Sequence, residues 1–533
     1  MPQAPDGDRS ARGGSEPVLL ARSTSVVGSL TFISRVSGLA REIIFARFFG
    51  AGALMDAFVF ANRLPNMLRR FFAEGAFAQA FVPVFAEYRE TRSLPDLREL
   101  LSRVAGSLFV VLFAISLLGV IAAPVLVLIF GTGFATGDGP ADLAAAMLRW
   151  TFPYILFVSL TAMAGSVLNT YGRFAVPAVT PVLLNLSLIA AAIWLSPRFA
   201  EPTYALAIGV FAAGVIQLSF QLPFLARAGL LPWPRISFSH PGVRRIMTLM
   251  LPVLFGSSVA QINILFDTWI ASFLGDGRMT WLYFADRLVE FPLGVFGIAI
   301  ATVMLPSLSA DHTRQSLQSF SATLDWALRL VCLIAVPAAA ALFVLAVPMT
   351  ATVYFGGEFL DFDVRMSAAS LMAFAPGLLG FILVKVLVPG FFSRQDMKTP
   401  VRIAVRALVL GMLLNVTFVL VLLRTDLAPA HVGLAAATTL SSIANASMLY
   451  LALRGDGVYS PGPGWRLLLA RVVAATACMA LFLYWMLSIA GDWLAMGNWV
   501  RIAWLAGLVA GGAAVFFAVG LIAGLRPEQF RKA

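Results

Sequence analysis

The sequence predicts an all-α polytopic membrane protein with about fourteen transmembrane helices, and its composition carries the first part of that prediction. Hydrophobic residues make up 60% of the 533 residues and charged residues only 12%. An ordinary soluble domain has about 25% charged residues. The mean hydropathy is +0.87. So few charges cannot cover a water-facing surface, and these values therefore exclude a soluble multidomain protein.

The distribution of apolar residues gives the number of spans. Long apolar stretches alternate with short loops marked by Gly, Pro or charge, and a membrane-spanning helix needs about 20 residues. The predicted spans are 26–48, 54–87, 99–130, 142–170, 175–196, 203–228, 242–275, 280–310, 317–354, 364–393, 399–424, 430–453, 465–490 and 498–524. Residues 1–24 are polar and contain no apolar run, so we predict a disordered cytoplasmic tail there rather than a signal peptide.

The basic residues predict the orientation of the spans. The formal net charge is +11, which in a soluble protein would suggest a nucleic-acid partner. In a membrane protein it first reflects the excess of Lys and Arg in cytoplasmic loops. Fourteen basic residues fall in one set of alternating loops and four in the other. This asymmetry and the even number of spans predict that both termini are cytoplasmic.

An internal repeat predicts how the spans are grouped. Phe-Ala-Asn-Arg-Leu at 60–64 recurs as Phe-Ala-Asp-Arg-Leu at 284–288, and Phe-Gly at 130–131 recurs at 355–356, with an offset of about 225 residues. We therefore predict two pseudo-symmetric six-helix bundles around a central cavity, related by an axis along the membrane normal. The predicted segments are the tail (1–24), an N-terminal bundle (25–230), a C-terminal bundle (231–455) and two further helices (456–533).

Charged residues inside the predicted spans are the strongest functional signal. A charge at mid-bilayer costs about 2.5–3.5 kcal/mol on insertion scales, so it has to face protein or water. Spans 1 and 2 and the loop between them contain Arg35, Arg41, Glu42, Arg47, Asp56, Arg63, Arg69, Arg70 and Glu74, and span 8 contains Asp286, Arg287 and Glu290. For any one residue, snorkelling to an interface or a structural ion pair is an equal alternative. As a group they predict a basic cavity for an anionic, phosphorylated ligand, because arginine binds phosphate oxygens bidentately.

A second signal lies in span 7, where Asp267 follows Asn263 by one helical turn among apolar residues. Two interpretations stay open. The carboxyl group is either neutral and hydrogen-bonded, or it belongs to a cation or proton site that couples transport to an ion gradient. Lys385 in span 10 is equally ambiguous.

Other chemistry is weakly indicated. Asp361-Phe362-Asp363 has the spacing of metal-dependent glycosyltransferases but falls in a short acidic loop. Both cysteines lie in apolar runs and the three histidines lie far apart, so we expect neither a disulfide nor a metal site. The sequence has no nucleotide-binding or nucleophile motif. We therefore expect a protein that is not an enzyme and needs no cofactor.

Several of these charged motifs resemble those of a known family, the MurJ (MviN) lipid II flippases. The resemblance runs from about residue 25 to the C-terminus. The matching motifs are 34–42 (Ser-Arg-Val-Ser-Gly-Leu-Ala-Arg-Glu), 56–58 (Asp-Ala-Phe), 63–66 (Arg-Leu-Pro-Asn), 68–76 (Leu-Arg-Arg-Phe-Phe-Ala-Glu-Gly-Ala), 285–292 (Ala-Asp-Arg-Leu-Val-Glu-Phe-Pro) and 393–400 (Ser-Arg-Gln-Asp-Met-Lys-Thr-Pro).

The resemblance implies a transporter of the bacterial inner membrane, in the multidrug/oligosaccharidyl-lipid/polysaccharide exporter superfamily. Its substrate would be lipid II, the undecaprenyl-diphosphate-linked peptidoglycan precursor, moved from the inner to the outer leaflet. The partners implied are lipid II and the membrane, not nucleic acid; contact with the cell-wall synthesis machinery is left open. The last two spans would form a groove for the lipid tail. The family's substrate-binding positions map to Arg35, Arg41, Asp56, Arg69, Arg70, Arg287 and Glu290.

The resemblance also bears on energy coupling. Some family members have a sodium site, and Asp267 and Asn415 match part of it. Val419 stands where a second acidic ligand is expected, so coupling to Na⁺, to H⁺ or to the membrane potential alone remain alternatives. Three rival functions stay open: an exporter of another lipid-linked oligosaccharide, a drug/cation antiporter of the same superfamily, and a polytopic glycosyltransferase.

Overall fold

The computed structural model describes residues 16–70, 76–135, 139–294, 316–425 and 427–526, together with Met304 and Leu308. In this part of the chain the long regular elements are helices, and the β-type pairing is a single bridge between Gly356 and Phe359. The all-α prediction is therefore confirmed for the described residues. Residues 1–15 of the predicted tail, Glu74 and His312 lie outside them.

Nineteen helices of eight or more residues occur in the described ranges. In chain order they are α1 (Glu16–Phe49), α2 (Ala53–Arg69), α3 (Ala76–Thr91), α4 (Leu94–Ile121), α5 (Ala123–Phe130), α6 (Ala141–Thr151), α7 (Tyr154–Thr170), α8 (Ala175–Ala190), α9 (Tyr204–Arg227), α10 (Pro241–Ser272), α11 (Arg278–Pro292), α12 (Leu317–Val344), α13 (Ala346–Tyr354), α14 (Asp361–Phe374), α15 (Gly377–Phe392), α16 (Lys398–Thr425), α17 (Ala430–Gly455), α18 (Trp465–Ala490) and α19 (Asn498–Ile522).

Several predicted spans are divided in the structure. Among the described residues, nine helical stretches are long and apolar enough to cross a membrane, or ten if the bent pair α14–α15 is one span. That pair bends by 45° at Pro376, and α6 gives way to α7 at Pro153. Proline lacks an N–H, so each of these positions removes one hydrogen bond of a continuous helix. Apolar runs that are continuous in sequence therefore contain breaks.

Helix α1 begins before the predicted boundary between residues 24 and 25. Its first residue is Glu16, so the part of the predicted tail from 16 to 24 is helical. Pro17 suits the first turn of a helix, and the leucines at 19 and 20 have high helix propensity. The polar composition of the first residues is therefore a poor guide to where the helix starts.

The described residues cluster into two compact units, which we describe separately. Unit 1 takes in residues up to 45, 60–127 and 141–258, and unit 2 takes in 46–59, 128–140 and 259 onward. In unit 1, the rings of Phe77, Phe81 and Phe85 stack along α3. Unit 1 also contains α4, α7 and α9, and most of the arginine-rich loops.

In unit 2, the C-terminal pair α18–α19 packs on α12 and α13. The buried residues of this cluster are Leu345, Ala475, Met479, Leu483, Trp493, Leu508 and Phe516. The outward side chains of the pair, such as Leu481, Trp485 and Phe517, are exposed. An apolar outer face of this kind suits contact with lipid acyl chains rather than water.

Helices α15 and α17 approach closely because glycine lies at their contact. A Cβ atom on Gly380 would lie 2.6 Å from Ser442 Oγ and 2.8 Å from the Ile443 backbone nitrogen. Small residues allow such close approach between membrane helices. By contrast, no atom of the described residues lies within 4 Å of a Cβ built on Gly507 of α19.

We predict that Gly380→Leu destabilises the protein by about 1–3 kcal/mol, because the added side chain forces α15 and α17 apart. Thermal unfolding in detergent, followed by tryptophan fluorescence, measures the effect as a lower Tm. Gly507→Leu is the matched control and should change Tm little. Equal Tm values for the two variants would show that the contact at Gly380 is looser than described.

Candidate functional site

In unit 1, the guanidinium of Arg41 on α1 is held by neighbours that include an amide, a carboxylate and an aromatic ring. It donates to Asn185 Oδ1 on α8 at 2.9 Å, pairs with the Glu42 carboxylate and lies 5.7 Å from the Phe45 ring centroid. Asn185 is itself fixed, since its Nδ2 donates to Ser37 Oγ at 2.9 Å. The Arg41 side chain remains 17% exposed. The guanidinium is thus oriented and still accessible to a ligand.

Arg35, Arg69 and Arg70, the other arginines of the first two helices assigned to the substrate site, also belong to unit 1, whereas Arg47 belongs to unit 2. Arg35 and Arg69 are half-buried and Arg70 is exposed. Arg69 Nε donates to Asn66 Oδ1 at 3.0 Å, which fixes it near the end of α2. Unit 1 therefore contains the four arginines of the first two helices that are assigned to the substrate site, none of them fully buried.

In unit 2, Arg287 on α11 lies in an acidic and aromatic setting. It forms a salt bridge with Glu290 at 2.6 Å and lies 3.8 Å from Asp286 and 5.1 Å from the Tyr283 ring centroid. The i,i+3 spacing of Arg287 and Glu290 predicts this pair. Their side chains are 33% and 43% exposed, so the pair is open to exchange with an anionic ligand.

Asp56 on α2, also in unit 2, has a different environment from the arginines. Its carboxylate is buried and accepts hydrogen bonds from the backbone nitrogens of Gly277 and Thr280, at 2.7 and 2.8 Å, and from Thr280 Oγ1 at 2.6 Å. These groups form the first turn of α11. Asp56 therefore caps α11, where a negative charge also complements the helix dipole.

The structure brings Asp267 and Asn415 together in unit 2. Asn415 Nδ2 donates to Asp267 Oδ1 at 2.6 Å, and Asn263 Nδ2 donates to Asp267 Oδ2 at 3.0 Å. The amide oxygens of both asparagines are buried without a hydrogen-bond partner within the described structure. Val419, one turn beyond Asn415, is buried and apolar. In the described structure each amide turns its nitrogen toward the carboxylate, so the cluster is a hydrogen-bonded aspartate, and the amide oxygens would have to turn toward Asp267 to bind a cation with it.

The Asp361-Phe362-Asp363 motif forms the start of α14. The Asp363 carboxylate accepts hydrogen bonds from the Leu360 backbone nitrogen at 2.9 Å and from Trp281 Nε1 at 2.8 Å. These bonds give Asp363 a helix-capping role. Across the described residues, no group of three or more His, Cys, Asp or Glu side chains is arranged to hold a metal ion. The motif thus has a structural explanation that does not involve catalysis.

Asp325 of α12, which no sequence motif singles out, is the centre of a buried polar network. It accepts hydrogen bonds from Tyr459 Oη (2.8 Å), Trp465 Nε1 (2.6 Å), the Gly462 backbone (3.1 Å) and Arg329 Nε (2.6 Å). Burial raises the pKa of the Tyr459 hydroxyl, and its hydrogen bond to Asp325 adds to the shift. The network fixes the loop that leads into α18. The sequence signal was an aspartate alone among apolar residues, with no local partner except Arg329.

The sequence comparisons decide the family. The family model for the lipid II flippase MurJ matches residues 45–504. A protein of Vibrio cholerae serotype O1 described as a probable lipid II flippase MurJ is 44% identical over 521 residues, covering 96% of this chain and 98% of that protein. A lipid II flippase MurJ of Burkholderia cenocepacia is 40% identical over 519 residues, covering 96% and 99%.

The chain belongs to the lipid II flippase MurJ family. Solved structures agree on the fold. A lipid II flippase MurJ in an inward closed conformation matches with a TM-score of 0.75 at 24% identity, over 93% of this chain and 98% of that one. An inward-facing multidrug transporter of the MATE family matches with a TM-score of 0.67 at 12% identity, over 81% and 98%. The fold is therefore that of a multi-pass membrane transporter, as predicted.

In this MurJ-family chain, we predict that Asp56→Ala lowers the free energy of unfolding by about 1–3 kcal/mol, because it leaves two buried backbone N–H groups of α11 without an acceptor. The matched control is Asp96→Ala, which removes a capping carboxylate at the exposed start of α4 and should cost about 1 kcal/mol or less. Thermal unfolding in detergent compares them. A smaller Tm loss for Asp56→Ala than for Asp96→Ala would contradict the buried-cap assignment.

Proposed function

We propose that this protein is a lipid II flippase. It moves the undecaprenyl-diphosphate-linked peptidoglycan precursor from the inner to the outer leaflet of the bacterial cytoplasmic membrane by alternating access. Family membership supports the proposal, and relatives at 40% identity or more carry this description. As a member of a transporter family, the protein carries its substrate without altering it.

The observation that carries the proposal is that two arginines are paired with carboxylates and are still partly exposed. Arg41 and Arg287 are each paired with a carboxylate, yet each keeps part of its side chain exposed. A diphosphate presents several charged oxygens that compete for such guanidinium groups, and arginine binds them bidentately. The acidic partners compensate the positive charge while no substrate is bound. Arg35, Arg69 and Arg70 add to the positive charge offered to the head group.

Asp56 acts in this proposal as a positioning residue. It caps α11, the helix that bears Arg287 and Glu290. Releasing the cap would free the first turn of α11, so the hydrogen bonds of Asp56 couple the outer end of α2 to the position of the substrate-binding pair. This role needs the carboxylate itself and not merely a polar side chain.

We propose that the architecture predicted from the sequence is the one that carries out the transport cycle. Fourteen spans form two six-helix bundles that alternate access to the two sides, and both termini are cytoplasmic. The last two spans, α18 and α19, hold the polyprenyl tail in a groove. The apolar outer residues of these two helices and their packing on α12 and α13 support that assignment.

We propose Asp267, Asn263 and Asn415 as the coupling site. The carboxylate alone suffices for a proton, and it supplies a ligand for Na⁺ that the amide oxygens of Asn263 and Asn415 join once these side chains turn toward the ion. The apolar Val419 leaves the site with a single negative charge, which weakens the case for Na⁺ relative to H⁺. The membrane potential adds to either gradient because the bound ion is charged.

Transport of another lipid-linked oligosaccharide is the second candidate, because a diphosphate and a polyprenyl tail would be shared by its substrate. A drug/cation antiporter is disfavoured, although a MATE transporter shares the fold. A cationic drug calls for acidic lining residues, whereas five of the seven residues assigned to this site are arginines.

We predict that Arg41→Ala fails to support growth when the native flippase of a bacterial host is depleted. A charged hydrogen bond contributes about 1.5–3 kcal/mol, so loss of the guanidinium should reduce transport by about tenfold or more. Arg41→Lys should restore growth only partly, since an ammonium group lacks the planar guanidinium geometry that binds two phosphate oxygens at once. Arg92→Ala, at an exposed loop arginine, is the control. If Arg41→Ala and Asp56→Ala both express normally and complement fully, the site assignment is wrong.

We predict that Asp267→Asn removes the dependence of transport on the driving ion. Proteoliposomes with separately imposed Na⁺ gradient, pH gradient and membrane potential identify which force the native protein uses. The variant should lose the response to one ion gradient and keep normal substrate binding. An Asp267→Asn variant with all three responses intact would assign Asp267 a purely structural role.

A further inference from the structure

The segment that joins α9 to α10 exposes an unusual row of large apolar side chains. Residues 230–237 form no helix, yet Leu231, Trp233, Ile236 and Phe238 are 50%, 79%, 61% and 42% exposed. Isolated exposed hydrophobic residues are ordinary, but four within eight positions concentrate exposed apolar area on one short segment. The flanking helices α9 and α10 belong to a membrane protein, so these side chains lie close enough to the bilayer to contact lipid.

Hydrogen bonds hold the segment against α4. The Arg235 backbone nitrogen donates to the Ser102 carbonyl at 2.9 Å, and the Ser237 nitrogen donates to Ser107 Oγ at 3.2 Å. Gly106 allows this approach, because a Cβ atom there would overlap the Arg235 backbone. At the start of the segment, Arg98 Nε donates to the Gly229 carbonyl at 2.7 Å. The backbone that carries the apolar side chains is therefore fixed in position against α4.

The contacts with α4 set the level of the segment relative to the bilayer. The charged residues of α4 end with Arg103, and the rest of the helix to Ile121 is uncharged. The border between head groups and hydrocarbon is therefore expected close to Arg103. The segment touches α4 at Ser102 and Ser107, on either side of that residue. Tryptophan and other aromatic residues are enriched at this level of the membrane.

Basic side chains accompany the apolar ones. Arg227, Arg235 and Arg244 are exposed, at the end of α9, within the segment and near the start of α10. The phosphate groups of lipids lie at the same level, and an anionic leaflet attracts basic residues placed there. Apolar side chains that enter the membrane and arginines that face the head groups make a two-part lipid-binding surface.

We propose that residues 230–238 form a membrane-interface anchor that inserts Leu231, Trp233, Ile236 and Phe238 among the lipids and binds anionic phospholipid head groups through Arg235 and Arg244. This anchor holds the segment between α9 and α10 at the membrane surface. Its ligand is the lipid surface itself, and it is separate from the substrate site.

Bimane fluorescence in nanodiscs tests the insertion. The label is placed at Trp233→Cys or, as a second position, Leu231→Cys, in a chain whose Cys332 and Cys478 are replaced by alanine. We expect strong quenching by a phosphatidylcholine that carries a doxyl group near its head group, and weak quenching by iodide in the buffer. Label at Arg92→Cys should respond to iodide alone, and label at Leu481→Cys to the doxyl lipid alone. Iodide quenching without doxyl quenching at both test positions overturns the proposal and favours a water-exposed surface that binds a protein.

Native mass spectrometry tests the charge preference. The intact protein from nanodiscs of phosphatidylcholine and phosphatidylglycerol should retain phosphatidylglycerol preferentially, and added inorganic phosphate should not displace it. Each arginine near an anionic surface contributes about a fivefold preference, so Arg235→Gln and Arg244→Gln should each reduce the retained phosphatidylglycerol by about that factor. An unchanged preference in the double variant, or displacement by free phosphate, overturns the head-group part of the proposal.

Discussion

Every charged group in the apolar interior of this protein has to find a partner within the chain, and that constraint shapes the rest of the structure. An uncompensated charge in such surroundings costs several kcal/mol. Asp56 and Asp325 meet the constraint with three and four hydrogen-bond donors respectively. Arg41 and Arg287 meet it with a neighbouring carboxylate. The same requirement thus serves stability at two of these residues and, in the proposed function, substrate recognition at the other two.

The aspartates and the arginines differ in how completely their charged groups are buried and hydrogen-bonded. Asp56 is buried and fully engaged, so it fixes one end of α11. Arg287, near the other end of that helix, is one-third exposed and paired with a carboxylate that is itself exposed. A ligand with more negative charge than one carboxylate attracts Arg287 more strongly and can displace Glu290. The helix therefore joins a rigid anchor to an exchangeable ion pair, which suits a site that has to bind and release its substrate.

The sequence predicted local features well, because helix geometry fixes them. The Arg287–Glu290 pair follows from i,i+3 spacing, and the all-helical class follows from composition. With one exception, the sequence did not predict contacts between residues that are far apart in the chain. Asn185 lies 144 positions from Arg41, and Thr280 lies 224 positions from Asp56, so no periodicity links them. The breaks at Pro153 and Pro376 do not follow from proline alone, because Pro181 and Pro337 lie inside unbroken helices, and a hydropathy pattern averages over all of them. The partial match of Asp267 and Asn415 to a known pattern did place two side chains in contact.

The central claim is that the arginines hold the diphosphate of lipid II while it crosses the membrane. A leaflet-resolved assay of lipid II tests it most directly, in cells that depend on this protein after depletion of their own flippase. With the native chain, newly made lipid II should reach the outer leaflet. With Arg41→Ala or Arg287→Ala at normal expression, it should accumulate in the inner leaflet. Normal outer-leaflet lipid II in both variants would contradict the account.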